Sequence, residues 1–189
     1  MHDVLVLAAH PAIHQSRAGR RLRRALREAA VPGVLVRDLY EAWPDFFIDV
    51  ATEQALLAPA RLVVWLHPIQ WYSMPALMKL WVDEVLQAGW AHGPGGRALQ
   101  GKALWLVATT GASEGAYTPE GHHGHAFDAF LPPYRQTAAL CGMQFLRPLL
   151  LHDAHRLSDE ALDVRAAQFV ATLQRHRQAM AADTVTGAA

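Results

Sequence analysis

The chain has 189 residues, 17 basic and 17 acidic side chains, 52% apolar residues and one cysteine. A length of this order fits one domain that buries about 70% of its unfolded surface, and the balanced charge removes the usual grounds for a nucleic-acid partner. Cys141 alone excludes an internal disulfide and suits a reducing compartment.

Val4 to Ala9 is an unbroken apolar run, the pattern of a buried parallel strand. It is too short to span a bilayer and lacks the basic start of a secretory signal, so the chain is expected to be cytoplasmic. His10-Pro11 stops the strand, and Ser16 is placed to cap a helix over about residues 17–30. Ala18, Leu22, Ala25, Leu26 and Ala29 give that helix an apolar face, leaving the arginines from Arg17 to Arg27 as its solvated side. After the Val31-Pro32-Gly33 break, Val34 to Tyr40 reads as the second strand. The connection Trp43-Pro44-Asp45-Phe46-Phe47-Ile48-Asp49-Val50 is aromatic enough to pack, and Thr52 is the expected cap of a short helix to about Ala58.

Leu62 to Leu66 is the third strand, breaking at Pro68. Ser73 is the expected N-cap of the next helix, with Pro75 in its first turn and Met74, Leu77, Met78, Trp81, Val82 and Val85 at three- and four-residue spacing up to Gly89. The fourth strand, Ala103 to Ala108, runs into Thr109-Thr110-Gly111-Ala112. A Gly/His segment from Ala116 to His125 precedes a helix of about Phe127 to Cys141, and a fifth strand lies around Phe145 to His152. Ser158, Asp159 and Glu160 open a last helix with Leu162, Ala166, Phe169 and Leu173 on one face. Periodicity ends near Arg177, and residues 179–189 are expected to form a loose tail. Strands alternating with helices predict an α/β chain: one domain over residues 1–178, a flavodoxin-like three-layer sandwich. Its five-stranded parallel sheet has the order 2-1-3-4-5 with helices on both faces.

In that order the ends of strands one, three and four are neighbours, and open α/β sheets bind ligands outside the carboxyl ends of their strands. The first loop offers His10, Ser16 and a helix N-terminus suited to an anion such as phosphate, although Ser16 as a plain cap and His10 as a core residue are also open. The third-strand loop offers Gln70, Trp71 and Tyr72, which suit a planar, hydrogen-bonding ring; the aromatics as core plugs are the alternative. Thr109, Thr110, Gly111 and Ala112 have small side chains that leave backbone N–H groups open to a close-lying ring. No Gly-x-Gly-x-x-Gly follows a strand and no phosphate loop ends in Gly-Lys-Ser/Thr. Cys141 sits on a helix face, and His122, His123 and His125 lack the Cys or paired carboxylates that would complete a tetrahedral metal set.

His10-Pro11 with Ser16, Pro68-Ile69-Gln70-Trp71-Tyr72-Ser73-Met74-Pro75-Ala76-Leu77-Met78-Lys79, and Thr109-Thr110-Gly111 resemble the flavodoxin-like NAD(P)H:quinone reductases of the DT-diaphorase type. Asp38-Leu39-Tyr40, Pro44-Asp45-Phe46, Ile48-Asp49-Val50, Glu53-Gln54 and Gly89-Trp90-Ala91-His92-Gly93 narrow the resemblance to the bacterial branch that includes ancillary subunits of glutathione-gated potassium efflux systems. It covers about residues 3–153 and implies a bound flavin, FMN or FAD, and a homodimer with active sites at the subunit interface. By position, it puts His10, Ser16, Arg17, Ala18 and Gly19 at the flavin phosphate end and Pro68, Ile69, Gln70, Trp71, Tyr72 and Thr109 to Ala112 around the ring. It also implies catalytic roles for Tyr117 and His123, with His122 as the alternative. The implied activity is two-electron, ping-pong hydride transfer from NAD(P)H through the flavin to a quinone. The alternative is a flavin-bound regulatory subunit of a membrane potassium efflux protein, peripheral to the inner membrane; an azo- or nitro-reductase would differ only in its acceptor. Two positions depart from the family pattern. Gly19 stands where many relatives have Asn, and Ala112 replaces the second Gly of Thr-Thr-Gly-Gly, which narrows the space beside the ring.

Overall fold

The computed structural model describes residues 2–186, with side chains to residue 180. Its strands are β1 (Val4–Ala8), β2 (Val34–Asp38), β3 (Leu62–Pro68), β4 (Ala103–Thr109), β5 (Gln144–Phe145) and β6 (Leu149–Leu151). Its helices are α1 (Arg17–Ala29), α2 (Leu39–Ala42), α3 (Val50–Leu57), α4 (Ala76–Val85), α5 (Pro132–Leu140) and α6 (Asp159–Thr186). The sheet is parallel with the order β2-β1-β3-β4-β5, and β6 also pairs with β4, so the flavodoxin-like sandwich expected of the pattern is the fold.

Alternation along the strands divides the core. Leu5, Leu7, Val63, Trp65, Leu104 and Leu106 face α4 and α5, against Leu77, Met78, Trp81 and Tyr134. Val4, Val6, Val64, Leu66, Trp105 and Val107 face α1 and α6, against Leu22, Leu26, Ala166, Phe169 and Leu173. Both faces of the central strands are covered, which is why their sequences read as continuous apolar runs.

The differences from the sequence reading lie at element ends, where a local hydrogen bond decides. The second strand stops at Asp38, because its carboxylate accepts from the Tyr40 and Glu41 N–H groups at 3.0 and 3.3 Å and starts α2. Asp49 caps α3 in place of Thr52, whose own N–H donates to Asp49 at 3.2 Å. Strand β3 runs on to Pro68, and the Ile69 N–H continues its ladder to the Thr109 carbonyl at 2.8 Å. Ser73 closes a tight turn, so Pro75 occupies the N-cap of α4, which ends at Val85 before Gly89. The fifth strand is split at Arg147-Pro148 into β5 and β6, and the Trp105 indole N–H donates to the Arg147 carbonyl at 3.0 Å across the break. A 3-10 turn at Phe127–Phe130 precedes α5, whose Pro132 and Pro133 fit a first turn and no helix interior. The backbone of α6 extends to Thr186; the end of the expected loose tail, residues 187–189, lies outside the described residues.

The connection after β2 is held by Glu53, fully buried. Its Oε1 accepts from Arg37 Nε and Trp43 Nε1, each at 2.9 Å, and its Oε2 accepts from Trp81 Nε1 at 2.9 Å. The Arg37 guanidinium lies 5.4 Å from the Trp43 ring. One carboxylate thus ties β2, the 43–49 connection and α4 together. Glu53→Ala would leave a half-buried guanidinium and two indole N–H groups without a partner, and truncating one member of a buried ion pair costs about 3–5 kcal/mol. The expected loss of that size should appear as a lowered urea midpoint; a midpoint within error of the wild type would contradict it.

Candidate functional site

Register sets the site. Ala8 pairs with Leu66, and Pro68 with Thr109, so the chain leaves β1, β3 and β4 on one edge. There the three loops enclose a cleft of about 390 Å³, within the range of about 300–1,000 Å³ typical of small-molecule sites.

The first loop contributes His10, Pro11, Ala12, Gln15, Ser16, Arg17 and Ala18. Ser16 caps α1, its Oγ accepting from the Gly19 N–H at 3.0 Å. The remaining first-turn N–H groups, of Arg17 and Ala18, have no acceptor within the helix, and both residues line the cleft. A Cβ on Gly19 would sit 2.9 Å from Ser16 Oγ and 3.0 Å from Ile13 Cδ1, so Gly19 supports the cap from behind and does not line the cleft. Arg17 lines it, but its guanidinium is turned to Asp159 at 2.7 Å and the Leu157 carbonyl at 3.0 Å. His10 Nδ1 accepts from the Ala12 N–H at 3.1 Å, which leaves the ring proton on Nε2 as a donor. Burial lowers the His10 pKa against the opposing pull of Asp38.

The second loop contributes Pro68, Ile69 and Gln70. Gln70 and Ser73 exchange N–H···O bonds of 2.9 and 3.0 Å around Trp71 and Tyr72, whose φ values are 48° and 63°. Two successive left-handed residues make a type I′ turn, a geometry normally built from Asn and Gly; bulky residues there are genuine outliers. Trp71 is 94% exposed. Tyr72 stacks on Phe130 at 5.1 Å and places its hydroxyl 3.4 Å from His123 Nδ1. Both are exposed, so neither aromatic is a core plug, and neither lines the cleft.

The third loop contributes Thr109, Thr110 and Gly111. A Cβ on Gly111 would meet nothing within 4 Å, and the Gly111 and Ala112 N–H groups have no partner among the described residues. The Ala112 methyl packs against the core and does not narrow the cleft, contrary to the expectation from sequence. Beyond this loop Tyr117, 8% exposed, lies 4.4 Å ring to ring from His123. Burial raises the Tyr117 pKa, opposed by the Thr110 hydroxyl. His123 Nε2 is buried with no hydrogen-bond partner, whereas His122 is exposed and only touches the His123 ring edge at 5.2 Å.

Ala154 and His155, which the sequence reading did not single out, complete the lining. They follow β6, where Asp153 turns the chain at φ 52°. The available signal was positional: a fourth strand end on the same edge, carrying no motif.

His67 lies just below the floor and is not part of it. It is buried, its Nδ1 is 3.0 Å from the Pro68 carbonyl oxygen, and its ring stacks on Tyr134 at 5.8 Å. Burial drives its pKa down to about 4. No group of three His, Cys, Asp or Glu side chains suited to a metal occurs among the described residues.

A family model described as the flavodoxin-like fold matches residues 2–176. The glutathione-regulated potassium-efflux system ancillary protein of Salmonella newport (strain SL254) is 43% identical over 166 residues, covering 88% of this chain and 92% of that protein. Among solved structures, the general stress protein 14 of Treponema denticola in complex with FMN has a TM-score of 0.85 at 34% identity, covering 92% of this chain and 98% of the other. An NADPH-quinone reductase from P. pentosaceus has a TM-score of 0.80 at 26% identity, covering 89% and 95%.

Two outcomes follow from the geometry. Trp71→Gly should raise stability by about 1 kcal/mol, since the left-handed conformation costs a non-glycine residue that much and 94% exposure leaves little packing to lose; a lowered urea midpoint would contradict it. For His67 the pKa falls from 6.5 to about 4 on folding. The unfolded chain then binds the proton first, so its contribution is fully present above about pH 6.5 and is lost at up to about 1.4 kcal/mol per unit as pH falls toward 4. His67→Gln should flatten that part of the stability profile; equal slopes for variant and wild type would refute the assignment.

Proposed function

The chain belongs to the flavodoxin-like fold family, and from that footing we propose that it is a flavin-dependent NAD(P)H:quinone oxidoreductase acting as a single domain. The observation that carries this reading is the cleft itself: one end is a capped helix N-terminus, the other is lined by Ile69, Gln70 and Gly111, and unpaired backbone donors serve both. The residues present fit a flavin mononucleotide. The Arg17 and Ala18 N–H groups and the dipole of α1 suit a phosphate. The free Gly111 and Ala112 N–H groups suit the carbonyl oxygens of a flat heterocycle, and the unpartnered His123 Nε2 supplies a further polar group beside it. FMN is favoured over FAD by the 34%-identical structure in complex with FMN.

A bound flavin supplies acceptance and return of a hydride. The chain's own groups do the rest. Backbone donors at Gly111 and Ala112 are held before the reaction and stabilise negative charge as it develops beside them. Tyr117 and His123, in ring contact, hold a proton next to the cleft. NAD(P)H and the quinone occupy its open side in turn, which makes the exchange ping-pong. The reading includes a homodimer, and Phe47 and Trp71, 81% and 94% exposed, are large apolar side chains that a second copy would cover.

The 43%-identical ancillary protein favours a second, compatible reading, in which the flavin-loaded protein regulates a membrane potassium efflux partner from the cytoplasmic side of the inner membrane. Among the described residues no helix is long and apolar enough to cross a membrane.

The purified protein should show flavin absorbance, alone or after addition of FMN, and should reduce quinones at the expense of NAD(P)H. A protein that takes up neither FMN nor FAD would overturn both readings; flavin uptake without turnover would leave only the regulatory one. Tyr117→Phe/His123→Gln should slow flavin reduction by about 10²–10⁴, the usual worth of a positioned proton donor, and unchanged stopped-flow rates would remove the pair from the mechanism.

A further inference from the structure

The Thr110 hydroxyl, which also faces the Tyr117 hydroxyl, has its Oγ1 2.8 Å from the Ala112 carbonyl oxygen and 3.0 Å from His152 Nδ1. A hydroxyl has one proton and a carbonyl oxygen can only accept. Two oxygens at 2.8 Å need that proton between them, so Thr110 donates to Ala112 and His152 Nδ1 must itself carry a hydrogen and donate to Thr110. The imidazole ring then leans on Tyr117 at 5.3 Å and on Phe127 at 5.7 Å between centroids. The backbone around it is stitched to the same loop. The Thr110 N–H donates to the Leu151 carbonyl at 2.9 Å, and the Asp153 and Ala154 N–H groups donate to the Ala112 and Thr110 carbonyls at 3.0 Å each. The left-handed turn at Asp153 aims those last two donors; Asp tolerates that conformation better than most residues.

We propose that His152 is a positioning residue for the hydride-transfer site, fixing the Thr110 turn through Nδ1–H and bracing Tyr117 with its ring. One side chain thereby sets both groups that face the ligand: the Gly111 and Ala112 N–H donors and the Tyr117–His123 pair. His152 itself is not among the residues that line the cleft. The inference rests on the flavin reading for its consequence and on the hydrogen bonds above for its geometry.

His152→Asn keeps an N–H near the Nδ1 position, and His152→Leu fills the ring volume without a donor. In the flavin-loaded full chain, His152→Leu should lower kcat about tenfold, close to the 1.4 kcal/mol a single hydrogen bond is worth at most when neutral, with KM for NAD(P)H and the FMN affinity within about twofold. His152→Asn should recover most of the rate. Thr110→Val combined with His152→Leu should be no slower than the worse single variant, because both remove the same bond. A wild-type kcat in the Leu variant, or an Asn variant no faster than Leu, would overturn the role, as would a loss confined to KM. If the wild-type protein shows no flavin turnover, the flavin reading fails separately. Amide hydrogen exchange in the flavin-free protein then decides: Asp153 and Ala154 should exchange at least about tenfold faster in the Leu variant and at the wild-type rate in the Asn variant, and unchanged protection in the Leu variant would sink the assignment.

Discussion

The parallel register of β1, β3 and β4 is the constraint on which the molecule depends. Those strands pair Val4 with Leu62 and Leu62 with Ala103, and they stay in step to their carboxyl ends. A slip of one residue would turn Trp65 and Leu106 from one core layer to the other. The same register brings three chain exits to one edge, so the packing that stabilises the domain also assembles the cleft. No loop has to find its partners by itself.

Around that fixed edge the structure uses two contrasting devices. The loop after β1 is relaxed, with a serine cap, a glycine behind it and a helix that needs no strain to present its N–H groups. The loop after β3 is strained, with Trp71 and Tyr72 both left-handed. Such strain persists only where the surroundings over-determine it. Here the flanking Gln70–Ser73 bonds and the Tyr72–Phe130 stack do so. An aromatic pair is kept where glycine would be easier.

Charge is handled mostly inside the molecule. Arg17 and Arg21 on α1 meet Asp159 and Asp163 on α6, Arg23 meets Asp38, and Arg24 meets Glu28. The arginine-rich helix therefore clasps its neighbours, and its pairs hold the first turn of α6 beside the cleft. Exposed pairs of this kind are each worth little. Glu53, buried among Arg37, Trp43 and Trp81, is the pair whose loss the fold would feel.

The layer order, the two-faced core and three of the four walls of the cleft were legible in the sequence, because continuous apolar runs, helical spacing and strand-end residues are local patterns that burial imposes directly. His10, Ser16, Gln70, Thr110 and Gly111 were found in that way and do line one space. Element ends were not legible where two residues competed for one cap, as Asp49 and Thr52 did. Nor was the inward or outward choice at single positions: Ala112 against the core, Gly19 behind its cap, Arg17 drawn toward Asp159. The wall made by Ala154 and His155, and the bond from His152 to Thr110, join residues 42 or more apart. Sequence alone determined which segments would be buried and in what layers; only the tertiary structure decided which side chains share a partner, since a hydrogen bond between distant residues has no period to read.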